Sequence, residues 1–86
     1  MIRTVVNPSV VAKVRTKRIE GRTVGLADFE TGEIEIDPRQ CPRELLCTLV
    51  HEWLHLAMPK VSERNIIKLE KSLGGMLWRR GYRRRA

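Results

Sequence analysis

The stretch GEIEIDPRQCPRELLCTLVHEWLHLAMP, residues 32–59, decides the fold because its periodicity changes halfway along. Its first part, EIEID, alternates apolar and acidic residues, which predicts a half-buried strand with Ile34 and Ile36 facing inward. The segment DPRQCP then breaks the chain, and Pro42 suits the first turn of a helix. That helix meets no breaker before Pro59, so we expect a strand followed by a long helix.

The flanking residues predict more strands before this stretch and one more helix after it. β-Branched or alternating segments lie at residues 4–6, 10–19 and 22–29, and ETGE at 30–33 suits a tight hairpin connection. Ser62 is a good N-cap for a second helix over residues 63–80. On that helix, one apolar stripe is formed by Ile66, Leu69, Leu73 and Leu77.

These elements predict the α+β class, with a small antiparallel sheet or hairpin followed by an α-helical hairpin. We expect one domain over residues 1–80 and a basic C-terminal tail over residues 81–86. A chain of 86 residues has a small core, and small domains often rely on a metal, a disulfide or a partner. Cys41 and Cys47 do not form a C-x-x-C pair, and we interpret them as reduced thiols.

Two further features predict a cytoplasmic protein. The N-terminus has no uninterrupted apolar region of the signal-peptide kind, and no apolar run approaches the ~18 residues of a spanning helix. The formal net charge of +7 favours acidic partners, nucleic acid included, but does not bear on the fold.

The segment HEWLH at 51–55 holds both histidines of the chain. Residues four apart on a helix lie about 40° from each other and about 6 Å along its axis, so His51 and His55 point the same way and can share one tetrahedral metal ion. Glu52 is offset by about 100°, beside the metal face, where a carboxylate can take a proton from metal-bound water. The apolar neighbours make a fully solvated face implausible for this pair, and burial of unpaired imidazoles costs free energy that a metal removes.

HEWLH resembles the HExxH motif of zincin metallopeptidases. The resemblance extends over roughly residues 22–80: GEIEID is similar to the strand before the active-site helix, TLVHEWLHLAMP to that helix, and SERNIIKLEKSL to the following helix with its glutamate ligand. The chain is most similar to minimal gluzincin-like proteins and small phage or prokaryotic metallopeptidases. The resemblance implies a Zn²⁺ cofactor, a peptide or protein substrate, and Glu52 as the general base.

The third protein ligand is left open by the residues themselves. No third histidine exists, so a carboxylate or a thiolate must serve. Glu63 opens the second helix eight residues after His55, Glu70 lies two turns further on, and Cys47 and Glu44 precede the histidines on the first helix. The resemblance implies a glutamate on the second helix, and Glu63 is the matching position in its short-loop form.

A different class of function is suggested by the tail. RRGYRRR at 79–85 carries five arginines and one tyrosine, which can hold phosphate groups electrostatically while Tyr82 stacks on a base. The ordinary interpretation is a solvated tail that complements a helix C-terminus, with weak nonspecific nucleic-acid contact. The alternative to a peptidase is therefore a small basic nucleic-acid-associated domain whose zinc site is structural or catalytically inactive. We predict no membrane association and make no prediction of oligomeric state.

Overall fold

Three short strands and two helices make up residues 12–83, the part of the chain that this computed structural model describes. In chain order they are β1 (Lys13–Thr16), β2 (Gly25–Ala27), β3 (Glu33–Ile36), α1 (Pro42–Ala57) and α2 (Glu63–Arg79). The strand predicted at residues 4–6 and the start of the one predicted at 10–19 lie outside the described residues. No helix within residues 12–83 is both long enough and apolar enough to cross a membrane.

The α+β class is confirmed, and the sheet is mixed rather than wholly antiparallel. The strand order is β1-β3-β2, with β3 in the centre. β2 and β3 form the expected antiparallel hairpin, whereas β1 pairs with β3 in parallel, with Val14 opposite Ile34 and Thr16 opposite Ile36. The alternating sequence of β3 suits the central position, because Ile34 and Ile36 are buried on the side that faces α1.

α1 covers β2 and β3 and carries the site residues. Its bounds agree with the prediction, since Pro42 lies in its first turn and it ends shortly before Pro59. Leu56 packs with Ile34 and Ile36 in one apolar cluster. The β2 residue that approaches α1 is Gly25, which has no side chain. Its larger neighbours Val24 and Leu26 are exposed.

α2 packs against α1 through a second apolar cluster, in which Ile66 lies fully buried against Val50 and Leu54. The predicted N-cap is confirmed, because the Ser62 hydroxyl accepts a hydrogen bond from the main-chain N–H of Asn65 at 3.3 Å. The predicted stripe is correct in part: Leu73 and Leu77 pack on this cluster, but Leu69 is 41% exposed. The reason is that the stripe predicted from 3.6-residue periodicity is wider than the face that α1 covers.

Gly74 allows the two helices to approach closely. A Cβ atom at Gly74 would lie 3.1 Å from the Sγ atom of Cys47, a tight contact that the thiol could relieve only by moving a few tenths of an ångström. Both glycine and thiol thus have a packing role at the crossing. Glycine at this position costs about 1 kcal/mol of helix propensity relative to alanine, and the close contact offsets that cost.

A buried carboxylate holds the connection from β3 to α1. Asp37 is 3% exposed and accepts hydrogen bonds from the main-chain N–H groups of Ile19 and Arg39. The Arg39 guanidinium also donates to it, at 2.6 Å from Nη2 to Oδ2. These contacts, the guanidinium first, hold the pKa of Asp37 well below its usual range. They fix the path of the chain just before the helix that carries the candidate site.

Candidate metal centre

His51 and His55 lie side by side on α1, one turn apart, as helical spacing predicts. Their Nε2 atoms are 3.1 Å apart, and the two ring planes meet at 67° with centroids separated by 4.8 Å. Both side chains are partly buried, with 18% and 23% of their surface exposed. The two imidazoles therefore direct one nitrogen each toward a single point beside the helix.

Glu63, the first residue of α2, contacts the same two nitrogens. Its Oε1 atom lies 2.8 Å from Nε2 of His51, and its Oε2 atom lies 2.7 Å from Nε2 of His55. The turn that follows Pro59 makes this geometry, because it returns the first turn of α2 to the C-terminal half of α1. Together the three side chains form a group that could hold a metal ion, with their ligand atoms all within 4.8 Å of one another.

The chemistry of this donor set fits a zinc ion. Two imidazole nitrogens and one carboxylate are ordinary protein ligands of Zn²⁺, and bonds of about 2.0–2.1 Å at tetrahedral angles place ligand atoms about 3.3 Å apart. The separation of 3.1 Å between the two Nε2 atoms is close to that value. Glu63 places a different oxygen against each histidine, and one ligand atom from each of the three residues lies within 4.8 Å of the others. Among residues 12–83 the group has three members.

Electrostatics also point to a cation at this place. Glu70 lies against Nδ1 of His51, 2.7 Å from its Oε1 atom, so the proton of a neutral ring is assigned to Nδ1. The lone pair on Nε2 then faces the Glu63 carboxylate, which is also an acceptor. Two acceptors at hydrogen-bond distance repel unless a proton or a metal ion lies between them. A metal ion satisfies both groups without an added proton.

Glu52 is the buried carboxylate of the site. Only 8% of the residue is exposed. Burial raises the pKa of Glu52, and the nearby Glu63 carboxylate adds to the rise, while His51 and His55 oppose it. Its position on α1, one residue after His51, places it beside the ligand group and not within it.

A cleft of about 600 Å³ opens over Glu52, between β2 and the two helices. Gly25 forms part of its wall, and a Cβ atom there would lie 3.1 Å from Cγ of Glu52 and 2.5 Å from Cγ2 of Thr48. The absent side chain at Gly25 is therefore required by the closeness of β2 and α1. The cleft is lined by both polar and apolar residues and gives a substrate access to Glu52 and His51.

The other candidate ligands lie outside the three-member group. Glu70 contacts the opposite end of the His51 ring from the Nε2 atom that Glu63 contacts. Glu44 is exposed in the first turn of α1, and Cys47 lies against Gly74. Burial raises the pKa of the Cys47 thiol, with the Glu70 charge as the next cause, which disfavours the thiolate that a metal needs.

The contact between Glu70 and His51 is the feature that sequence reasoning missed. Two signals in the sequence could have found it: mirror pairing of the helices about their turn sets Glu70 level with His51, and a spacing of seven residues puts Glu63 and Glu70 on one side of α2. Those two signals indicated proximity to the histidine. They did not indicate which nitrogen of the ring each carboxylate would meet, because that depends on the rotation of the imidazole.

The basic tail begins with residues that contact the protein itself. The Arg83 guanidinium stacks over the Trp78 ring at 3.8 Å and donates a hydrogen bond to the Trp78 carbonyl oxygen. Tyr82 lines a separate apolar groove of about 630 Å³ between β1 and the start of α1, away from the candidate metal centre. Residues 84–86 lie outside the described part, and nucleic-acid contact stays a prediction.

Comparison with known proteins adds no relative. No family model matches the chain, no curated protein is significantly similar to it, and no solved structure matches its fold significantly. The chemistry of the His51, His55 and Glu63 group and of the carboxylate beside it is therefore the guide to function.

Proposed function

We propose that this protein is a zinc-dependent metallopeptidase of the HExxH type that hydrolyses peptide bonds. The observation that carries the proposal is a buried carboxylate, Glu52, that opens onto a cleft beside two histidines and a glutamate able to hold a metal. A site that only binds metal has no need for this fourth group. Its resemblance to zincins rests on the same residues and supports the same assignment.

In this proposal the side chains have separate roles. His51, His55 and Glu63 would hold a zinc ion, which would supply a Lewis acid and lower the pKa of a water molecule. Glu52 accepts the proton of the attacking water and delivers it to the leaving amine. The burial that raises the pKa of Glu52 suits this exchange, because a carboxylate with a raised pKa is a stronger base toward water, while its conjugate acid can still protonate the more basic leaving amine.

The free edge of β2 supports a peptide as the substrate. β2 is an edge strand, paired only with β3 in the described sheet. The main-chain groups of Val24 and Asp28 bond to the β3 side, so by strand alternation those of Gly25 and Ala27 point to the open edge. An extended peptide that adds to this edge pairs with Gly25, the residue next to Glu52, and its main chain enters the cleft there.

The alternative, a basic nucleic-acid-associated domain with a structural zinc ion, differs in the number of ligands. A structural site is closed by four protein ligands, whereas a catalytic site keeps one position for water. The three-member group among residues 12–83, with Glu63 58% exposed, favours the catalytic kind. The net charge of +7 favours the alternative, because it attracts nucleic acid whether the metal site is catalytic or structural.

The test compares zinc content and cleavage of a peptide library for the wild type, Glu52→Gln and Glu20→Gln. Glu20 is an exposed carboxylate outside the cleft, so its variant controls for the loss of one negative charge. We expect equal zinc in all three proteins, with cleavage reduced at least ~100-fold only in Glu52→Gln. A wild-type protein that binds one zinc ion but cleaves no peptide would support the structural alternative. Cleavage by Glu52→Gln at the wild-type rate would remove Glu52 from the mechanism.

A further inference from the structure

We infer that Glu70 is a positioning residue for His51: it holds the imidazole through Nδ1 and thereby presents Nε2 to the metal. The inference deepens the proposed function, since it rests on metal binding by His51, but it does not require peptidase activity. It also gives Glu70 a role different from that of a direct metal ligand, and the sequence alone could not distinguish these two roles.

The contact itself is short and protected. Oε1 of Glu70 lies 2.7 Å from Nδ1 of His51, and the two side chains are 20% and 18% exposed. A carboxylate at this depth keeps a hydrogen bond that solvent would otherwise replace. Glu70 reaches the ring from α2, so the contact joins the two helices as Glu63 does on the other side of the ring.

The hydrogen bond selects one form of the ring. An ionised carboxylate only accepts, so the nitrogen that faces it must carry the proton. With the proton on Nδ1, the lone pair of neutral His51 is on Nε2, which points at His55 and Glu63. A carboxylate behind a ligand histidine fixes its tautomer and orientation and makes the ligating nitrogen more basic.

The two histidines are not equivalent in this respect. His55 uses its Nε2 atom toward His51 and Glu63, and within residues 12–83 no hydrogen bond to its Nδ1 atom is present. Among the described residues, His51 is thus the ligand whose ring is held by carboxylates at both nitrogens, whereas the ring of His55 is contacted at Nε2. Loss of Glu70 is therefore expected to affect His51 selectively.

The experiment uses the full chain with Glu70→Ala, Glu70→Gln and Glu20→Ala. Alanine removes the acceptor, glutamine keeps an amide oxygen that can accept from Nδ1–H, and Glu20→Ala changes the net charge as Glu70→Ala does at an exposed site. Zinc affinity is measured by competition with a chelator, and the tautomer of each histidine is measured by ¹⁵N NMR of the metal-free protein at about pH 9, where imidazoles are neutral. Thermal unfolding checks that each variant is folded.

We expect Glu70→Ala to weaken zinc binding by about 10–100-fold and to remove the preference of His51 for the Nδ1–H tautomer, without changing His55. Glu70→Gln should keep the tautomer and most of the affinity, and Glu20→Ala should match the wild type. Unchanged affinity and an unchanged His51 tautomer in Glu70→Ala would overturn the inference. So would complete loss of zinc in both Glu70 variants, which would identify a direct ligand.

The failure of the proposed function is distinguishable from the failure of this inference. If the wild-type protein binds no zinc, the metallopeptidase proposal fails, and the tautomer measurement on the metal-free protein decides the role of Glu70. A His51 tautomer that changes in Glu70→Ala and is kept in Glu70→Gln then supports positioning. A tautomer that is the same in all variants refutes it.

Discussion

The close approach of β2 to α1 gives a prediction whose size can be worked from distances. Gly25→Ala places a Cβ atom 2.5 Å from Cγ2 of Thr48, more than about 1 Å inside ordinary carbon–carbon contact. Thr48 cannot turn away freely, because its χ1 angle is restricted in a helix and its hydroxyl donates to Oε1 of Gln40 at 2.6 Å. Gly25 is not among the glycines with positive φ, so its backbone accepts alanine and the cost is steric.

We expect Gly25→Ala to lower the free energy of unfolding by about 1–3 kcal/mol, the usual cost of overpacking. At ~4–8 °C per kcal/mol for a domain of this size, the midpoint of thermal unfolding falls by about 5–20 °C. Urea unfolding of the metal-free protein, followed by tryptophan fluorescence, measures the free energy with an unchanged m-value as the check on two-state behaviour.

Thr48→Ser supplies the matched control, since serine lacks Cγ2 but keeps the hydroxyl that bonds to Gln40. Alone it removes one methyl group and costs at most about 0.8 kcal/mol. In the double variant the new Cβ atom occupies the space of the lost methyl group. Its free energy of unfolding should therefore be about 1–3 kcal/mol higher than the sum of the two single effects predicts. The 3.1 Å contact with Glu52 remains, and cleavage should stay low while stability returns. A Gly25→Ala variant within ~0.5 kcal/mol of the wild type, or additive effects in the cycle, would refute the packing argument.

Three other predictions use separate assays. Zinc at about 100 times its Kd should raise the unfolding midpoint of the wild type by about 10–20 °C. Glu63→Ala should abolish that rise, whereas the control Arg64→Ala should retain it. A rise in Glu63→Ala equal to that of the wild type would exclude Glu63 as a ligand. Because the pKa of Asp37 is lowered, its stabilising contribution is complete above the ordinary value of 3.8 and is lost as the pH falls below that value. Asp37→Asn should therefore be less stable at neutral pH and lose less stability below about pH 4, as measured by circular dichroism. An acid-unfolding profile equal to that of the wild type would contradict the role of Asp37. Nonspecific binding to a single-stranded oligonucleotide, if it follows from the net charge of +7, should fall steeply between about 50 and 200 mM salt in fluorescence anisotropy, and affinity independent of salt would point to a specific interface.

The helices and the histidine pair could be predicted because local sequence determines them. Helical periodicity, Pro42, Pro59 and Ser62 mark the bounds of α1 and α2, and a spacing of four residues places His51 and His55 together on any helix. The short turn between the helices then limits how far Glu63 can lie from His55.

The features that could not be predicted depend on contacts between distant parts of the chain. The parallel pairing of β1 with β3 depends on which edge of β3 each strand takes, and both edges of β3 present the same kind of main-chain N–H and C=O groups. Leu69 is exposed because α1 does not cover the part of the α2 surface on which it lies, and the periodicity of the sequence does not indicate how wide that covered face is. The need for glycine at position 25 appears only once β2 lies on Thr48 and Glu52.

His51 also has a mechanical consequence for the helix pair. Its ring has Glu63 at one end and Glu70 at the other, and those two carboxylates are seven residues apart on α2, about 10.5 Å along its axis. A slide of α2 by one turn, about 5.4 Å, would remove both contacts at once. The imidazole therefore fixes the axial register of the hairpin by polar contacts, in addition to the packing of Gly74 against Cys47.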